Sequence, residues 1–274
     1  MPYELKSTDS RGVAEISELG KGLTGSAIKI VGIILMVFDH LHQMFWAQGV
    51  PDWFHWIGRP VLPIFLFMCA EGFYYTHSKG KYLLRLFIGF IGMNAANTLL
   101  TFAMFNENVI LINNVFGTLL LTASYLLFIE MLREGVREKQ ARKIVTSILL
   151  MLLPIVYSLT FLMTLNTLTW QSAVALSFIP NLAATEGGIP AVVLGIVFYL
   201  CGGKRSMQTL VLFMFSLLSF ITDSAPYRVQ WLMIFASIPI LLYNGRRGKG
   251  NKYFFYVFYP THIYLFYIIA WVLD

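Results

Sequence analysis

Long apolar blocks separated by short polar segments make up the chain from residue 25 onward. Several blocks, such as 144–165, reach or approach the ~20 residues that a helix needs to cross a bilayer. This pattern predicts an all-α polytopic membrane protein with about nine transmembrane helices. The predicted spans cover residues 26–47, 60–76, 82–104, 110–132, 144–165, 188–202, 207–222, 229–243 and 253–273.

One further apolar segment, 170–187, is interrupted by Pro180 and by Glu186-Gly187-Gly188. Non-helical backbone at membrane depth is tolerated only where it is buried in protein or lines a wet cavity. We therefore expect a re-entrant or broken helix near 170–187 that forms a cavity wall on the outer side.

The basic residues predict the orientation of the chain. If 170–187 does not cross and the N-terminus is cytoplasmic, all of the 20 basic residues except Arg59 and Arg228 lie on the cytoplasmic side. This arrangement satisfies the positive-inside rule, whereas a full crossing by 170–187 would move residues 204–252 outside. We therefore expect a cytoplasmic polar tail at 1–24, a single membrane domain at 25–274 and a C-terminus outside.

The composition is also typical of a membrane domain. Of the 274 residues, 57% are hydrophobic and only 12% are charged, about half of the ~25% charged residues in soluble proteins. The net charge of +6 comes from short basic clusters between the apolar blocks. Such clusters indicate loops beside a membrane, so no nucleic-acid partner is expected.

Two histidines inside the predicted spans are candidates for chemistry, because ionisable residues are rare in spans and usually functional. His40 follows Lys29 by eleven residues on the same helical face, about 20 Å from the cytoplasmic edge, and His262 lies about 14 Å deep in the last span. A histidine has the pKa of a general base, so we expect His40 in that role, supported by Asp39 or His262. Asp39 points about 100° away from His40 and so can instead serve His42 or a neighbouring helix. Two alternatives remain: the segment from Asp39 to His42 lies at a helix end that has reached water, or His262 has only a structural role.

Two asparagines, Asn94 and Asn97, are three residues apart on one face of the third predicted span. Their predicted depth lies between those of His262 and His40. Amides at such positions either join helices or stabilise an oxyanion, and we count both residues among the catalytic candidates.

Four charged residues are candidates for substrate binding: Arg59, Glu186, Lys29 and Glu71. Arg59 begins the second span at the outer face, where it either holds a substrate carboxylate or extends its charge to the interface. Glu71 lies at a depth similar to that of Lys29, which predicts a buried ion pair between them.

Four motifs occur in a fixed order: Asp39-His40, the stretch from Gly58 to Phe73 followed by 81–86, Glu186-Gly187-Gly188, and Tyr259-Pro260-Thr261-His262. Together they resemble the TraX family over most of residues 25–274. The first span is also similar to that of bacterial membrane acyltransferases that modify surface polysaccharides. Their pattern places a basic residue eleven positions before a catalytic histidine, and here Lys29, in place of the usual arginine, and His40 match it.

The resemblance implies a multi-pass acyltransferase of the bacterial cytoplasmic membrane, because the activity characterised for TraX proteins is N-acetylation of pilin with acetyl-CoA. We therefore expect acetyl-CoA as the donor co-substrate, with its phosphates on the cytoplasmic basic loops. The expected acceptor is an amine or hydroxyl of an envelope protein, peptide or glycan at or beyond the outer face.

Two other functions remain possible from the residues alone. A transporter or permease could use the buried polar groups as a proton relay. A metal-dependent membrane hydrolase could use Asp39, His42 and His262 as ligands, although this spacing is too common to define a metal motif.

Overall fold

The computed structural model describes residues 22–223, 228–250 and 252–274. Nearly all of the predicted tail, residues 1–21, therefore lies outside the described part of the chain. Within that part, the regular elements are helices, and an isolated parallel bridge joins Leu23 to Tyr243. The α-helices are α1 (Gly25–Phe45), α2 (Trp53–Gly58), α3 (Val61–Tyr75), α4 (Lys79–Ala103), α5 (Val115–Arg137), α6 (Ala141–Thr164), α7 (Trp170–Ser177), α8 (Gly188–Leu200), α9 (Arg205–Thr222), α10 (Ser237–Leu241) and α11 (Lys252–Leu273).

Among the described residues, seven helical segments are long and apolar enough to cross a membrane. They are Gly25–Gln48, Trp53–Tyr75, Lys79–Ala103, Val115–Arg137, Ala141–Thr167, Arg205–Thr222 and Tyr253–Leu273. Two shorter apolar helices, Gly188–Leu200 and Gln230–Leu241, occupy the other two predicted spans. The all-helical, multi-pass membrane fold is thus confirmed, whereas the total of nine crossings and the cytoplasmic side of the N-terminus remain predictions.

Two predicted spans differ from the helices in a way that local chemistry explains. The span predicted at 110–132 begins as a helix only at Val115. The backbone of Asn114 is not helical (φ −159°, ψ 74°), and its side chain donates to the Phe90 carbonyl and to Asn94 Oδ1. The span predicted at 229–243 is a 3₁₀ segment, Gln230–Ala236, followed by the five residues of α10. Pro239 has no N–H to donate to the Phe235 carbonyl, so the α-helical bond between these two residues is missing where the two pieces join.

The chain divides into two compact units, of which the first comprises Met1–Met68 and Val197–Asp274. In its described part, α1 and α11 pack side by side and run parallel. The contacts advance together along both helices: the Lys29 Nζ atom lies 5.3 Å from the ring centre of Phe255, His40 contacts His262, and the rings of Phe45 and Phe266 are 6.1 Å apart. The chain therefore enters both helices from the same end.

The loop before α11 holds the start of α1. The amides of Gly25 and Ser26 donate to the carbonyls of Arg246 and Arg247 at 2.8 and 2.9 Å. Gly248 has a φ of +76°, and a Cβ atom there would lie 2.4 Å from the hydroxyl of Thr24. This close approach requires a glycine in the left-handed region.

A buried stripe on α1 determines where His40 points. Ile28, Gly32, Met36, His40 and Met44 recur every four residues, and all are buried. Residues at this spacing share one helical face. His40 therefore occupies a core position that an apolar side chain would normally fill.

The second unit comprises Cys69–Ile196 and contains the broken segment predicted at 170–187. This segment consists of the eight-residue helix α7 followed by turns, and α7 is only about 12 Å long. Side chains of α4, α5 and α6 hydrogen-bond its backbone: Asn94 to the Ser177 carbonyl, Thr118 to the Glu186 carbonyl and Ser158 to the Leu182 amide. These bonds explain how non-helical backbone is tolerated here.

Candidate functional site

The two histidines singled out from the sequence meet in the first unit. The Nδ1 atom of His40 lies 2.7 Å from the Nε2 atom of His262, although the residues are 222 positions apart. Both residues are buried, with only 3% and 5% of their surface exposed. His40 lies five residues, or about 8 Å, from the end of α1, and its depth in the membrane remains a prediction.

Hydrogen bonding fixes which ring nitrogen carries each proton. The Nδ1 atom of His262 lies 2.7 Å from the Phe258 carbonyl, and because a carbonyl only accepts, this Nδ1 must donate. Two neutral rings are favoured here because a buried charge is costly. The Nε2 atom of His262 then accepts the proton of His40 Nδ1, and the lone pair of His40 lies on Nε2.

Aromatic rings hold the His40–His262 pair in place. The Phe258 ring stacks on His262 at 4.9 Å, and the Phe266 ring meets His262 edge-on at 5.8 Å. The ring of Tyr259 lies 6.1 Å from each imidazole. Such packing keeps the rings in one orientation and lowers the local dielectric, which strengthens their hydrogen bond.

Asp39 belongs to a second polar cluster on a different face of α1. Its Oδ1 atom accepts from Arg59 Nη2 at 2.6 Å and lies 3.1 Å from His55 Nδ1. Arg59 also donates through Nη1 to Gln230 Oε1 at 3.1 Å. Asp39 therefore bonds to residues of a neighbouring helical segment, as the sequence allowed, and not to His42. The guanidinium of Arg59 in turn already has a carboxylate partner.

The three ligands considered for a metal site have separate partners. His42 contacts Asp52 at 3.1 Å, Asp39 is held by Arg59, and His262 bonds to His40. The described residues contain no group of three or more side chains of His, Cys, Asp or Glu suited to a metal ion.

The asparagines of α4 lie in the second unit and bond to backbone there. Asn97 Nδ2 donates to the Asn113 carbonyl at 3.0 Å, and Asn94 Nδ2 donates to the Ser177 carbonyl at 2.6 Å. Asn114 Nδ2 donates in turn to Asn94 Oδ1 at 2.9 Å. These bonds support the role of joining segments, and a catalytic role for either residue remains a prediction.

The remaining candidates, Glu71, Glu186 and Lys29, are divided between the two units. Glu71 is buried and Glu186 is half-buried, and both belong to the second unit, whereas Lys29 belongs to the first. Lys29 lies above the Phe255 ring. The predicted Lys29–Glu71 ion pair and the substrate-binding roles of these residues remain predictions.

Charge is strongly asymmetric in the described part of the first unit. The loop that holds the start of α1 is basic, and the Arg205 guanidinium lies 4.8 Å from the ring of Tyr243 at the start of that loop. The basic residues at this end are Lys29, Lys204, Arg205, Arg246, Arg247 and Lys249. The four acidic residues described in this unit all lie towards the other end: Asp39, Asp52, Asp223 and Asp274.

Sequence reasoning missed His55 and Gln230, which complete the cluster around Arg59. His55 precedes Arg59 by four residues, a spacing that places both on one face of a helix. That spacing could have identified His55, but Gln230 is 171 residues from Arg59, and no local pattern connects them.

Comparison with known proteins gives two matches. The family model described as "TraX protein" matches residues 24–270. The chain is similar to the "Probable fimbrial assembly protein FimC, serogroup H1" of Dichelobacter nodosus, with 26% identity over 255 residues that cover 87% of this chain and 92% of the relative. No solved structure matches the chain.

Proposed function

The chain belongs to the TraX family, and we propose that it is a membrane acyltransferase in which His40 is the general base. The observation that carries the proposal is the buried His40–His262 pair, whose hydrogen bonds leave the His40 lone pair on Nε2. A neutral imidazole held in one tautomer keeps its lone pair on a single nitrogen, which is the form that a general base needs.

In the proposed reaction, an amine or hydroxyl of the acceptor attacks the carbonyl carbon of acetyl-CoA. His40 Nε2 takes the proton that the nucleophile loses as the new C–N or C–O bond forms. The C–S bond of the thioester then breaks, and the imidazolium of His40 returns the proton to the leaving thiolate. The products are the acetylated acceptor and free CoA, so protons and charge balance.

His262 would act as a positioning residue, because its Nε2 fixes the His40 tautomer and stabilises the imidazolium that forms. We expect His262→Ala to lower kcat by roughly 10- to 100-fold, or about 1.4–2.8 kcal/mol, with little change in KM for acetyl-CoA. His262→Gln should recover part of this loss, because its amide oxygen can accept the proton of His40 Nδ1. Steady-state kinetics of both variants check the prediction, and wild-type activity in His262→Ala would contradict it.

The basic end of the first unit would bind the phosphates of acetyl-CoA from the cytoplasm. It carries Lys29, Arg246 and Arg247, and a positive end is expected on the cytoplasmic side. The helical distance from Lys29 to His40 is about 16 Å, which the pantetheine arm of CoA would have to bridge.

We expect the double variant Arg246→Gln/Arg247→Gln to raise KM for acetyl-CoA by about 3- to 10-fold and to leave kcat unchanged. The loop should survive, because its bonds to α1 use the backbone carbonyls of these residues and their side chains are exposed. Arg133→Gln/Arg142→Gln, an exposed basic pair of the second unit, is the matched control. A larger rise in KM in the control would place the donor phosphates elsewhere.

The proposed acceptor is an envelope protein, peptide or glycan. The Dichelobacter nodosus relative is named as a probable fimbrial assembly protein, which supports an acceptor among surface structures. The test compares envelope fractions of a strain with and without the gene by mass spectrometry, and the expected result is an acetyl-sized mass difference on at least one component.

The experiment that tests the activity itself uses purified protein in nanodiscs with acetyl-CoA labelled in the acetyl group. Transfer or hydrolysis of the label, with release of CoA, is the expected result, and the His40 variants described in the Discussion should lack it. If no CoA is released while the protein in liposomes moves protons with a solute, the His40–His262 pair is a transport relay and the proposal is wrong.

A further inference from the structure

An apolar groove opens on the described surface of the first unit, between α1, the α2–α3 segment and residues 230–241. Its volume is about 460 Å³, and its lining is apolar or aromatic. Ile64 on its floor is fully buried, whereas Trp56 and Ile238 on its rim are about half exposed. Two of the lining elements belong to segments long and apolar enough to cross a membrane, so we expect hydrocarbon around the opening of the groove.

A polar cluster adjoins the groove, and we take it as the polar end of the groove. Asp39 follows the lining residue Leu35 by one helical turn, Arg59 directly precedes the lining residue Pro60, and Gln230 lies two residues before Leu232. Arg59 bonds to both of the others, at 2.6 and 3.1 Å. A molecule that fits the groove must therefore have a slender apolar part and a polar head.

Tryptophans place this polar end at the membrane interface. Trp46, Trp53 and Trp56 follow the end of α1 or begin α2, and they are 46–52% exposed. Exposed tryptophans concentrate at the depth of the lipid headgroups. The groove thus runs from headgroup depth into the apolar layer, as a lipid molecule does.

The polar end retains both a hydrogen-bond acceptor and a donor. The bonds to Asp39 use only Oδ1, so in the described part of the chain Oδ2 accepts none. The guanidinium of Arg59 has five N–H groups, four of which suffice for its bonds to Asp39, Gln230 and His55. A head with one anionic and one cationic group would complement Arg59 and Asp39, respectively.

We propose that the groove binds one acyl chain of a zwitterionic phospholipid with a primary ammonium headgroup. The phosphate approaches Arg59, the ammonium donates to Asp39 Oδ2, and the second acyl chain stays in the bilayer. The site is independent of the proposed acyl transfer, because it needs only the groove and its polar end.

A slender chain suits the groove better than a transmembrane helix of a partner protein. An α-helix 10–12 Å wide fills roughly 420–610 Å³ in a single turn, about the entire groove volume. A partner helix could therefore place no more than side chains in the groove, and Arg59 and Asp39 would gain no complementary pair of charges from it.

The test uses the full-length protein, stripped of lipid in detergent and then exposed to an equimolar mixture of phosphatidylethanolamine, phosphatidylglycerol and phosphatidylcholine. Native mass spectrometry then counts retained lipids. We expect one retained phosphatidylethanolamine per chain, preferred several-fold over the other two lipids. Phosphatidylcholine is the informative competitor, because its headgroup is zwitterionic but has no N–H to donate to Asp39.

Two kinds of variant separate the apolar and polar parts of the site. Val31→Phe/Leu35→Phe fills the groove and should reduce retention at least fivefold, whereas Leu149→Phe on the exposed apolar face of α6 is the matched control. Asp39→Asn should keep the lipid but reduce the preference for phosphatidylethanolamine over phosphatidylcholine.

Equal retention by the groove-filling variant and the Leu149→Phe control would overturn the proposal. The proposal would also be wrong if the wild type retained the three lipids equally. It would be wrong too if the groove-filling variant lost a bound protein partner while its lipid retention was unchanged. Thermal unfolding of each variant, compared with the wild type, shows whether the lipid was lost from a folded protein.

Discussion

Replacement of His40 by alanine is expected to lower the rate of acetyl transfer by roughly 10²–10⁴-fold, the usual contribution of a general base. The physical reason is that the Nε2 lone pair of His40 is the proton acceptor in the proposed reaction. The measurement is the release of CoA from labelled acetyl-CoA by purified protein.

Because His40 occupies a buried stripe, the alanine variant also leaves a cavity and removes the donor to His262 Nε2. An unsatisfied buried acceptor costs about 1–3 kcal/mol, so loss of activity by alanine alone could reflect unfolding. His40→Gln avoids this problem, since its amide can still donate to His262 but is not a base. We expect His40→Gln to be folded and inactive.

His77→Ala, a change at an exposed histidine of the second unit, is the matched control and should retain full activity. The double variant His40→Gln/His262→Gln should be no slower than His40→Gln, because residues that act as a unit are not additive. Wild-type turnover by folded His40→Gln would remove His40 from the mechanism.

Replacement of Gly58 by alanine is expected to destabilise the protein by about 1–3 kcal/mol, as overpacking does. A Cβ atom on Gly58 would lie 2.4 Å from the Asp39 Cβ and 2.6 Å from its Oδ1. One of the helices α1 and α2 must therefore shift, which also displaces Asp39 from Arg59. The expected result is a lower midpoint of thermal unfolding in detergent.

Gly92→Ala on α4 is the matched control, because a Cβ there meets nothing within 4 Å. Alanine is favoured over glycine in a helix interior by roughly 0.5–1 kcal/mol, so this variant should unfold at the same temperature as the wild type or slightly above it. If Gly58→Ala behaved like Gly92→Ala, the close approach of α1 and α2 would not constrain Asp39.

Several features of the fold could be predicted from local sequence. Apolar runs of sufficient length identified the seven long helical segments, and Pro180 with Gly187 and Gly188 indicated the broken segment. The exact helix starts could not be predicted in this way. The helix at Val115 begins later than its apolar run, after a non-helical Asn114 whose side chain bonds to groups 20 and 24 residues away.

The site could be predicted only in part, for a similar reason. His40 and His262 were recognisable because ionisable residues are rare in apolar spans. The Phe258 carbonyl that bonds to His262 was not, since every residue has a backbone carbonyl. Gln230, the partner of Arg59, was not recognisable either, because it lies in a 3₁₀ segment far from Arg59 in the chain. Nothing in the local composition or residue spacing of the sequence distinguishes either group as part of a site.

The sequence by itself determined that the chain is a multi-pass helical membrane protein of a recognisable family. Transfer of a segment into lipid depends on the summed polarity of some twenty neighbouring residues, and this sum can be read from the sequence. Only the tertiary structure decided that His40 bonds to His262 and Asp39 to Arg59. A hydrogen bond depends on distances and angles within a few tenths of an ångström, and these follow from how α1 packs against α2 and α11.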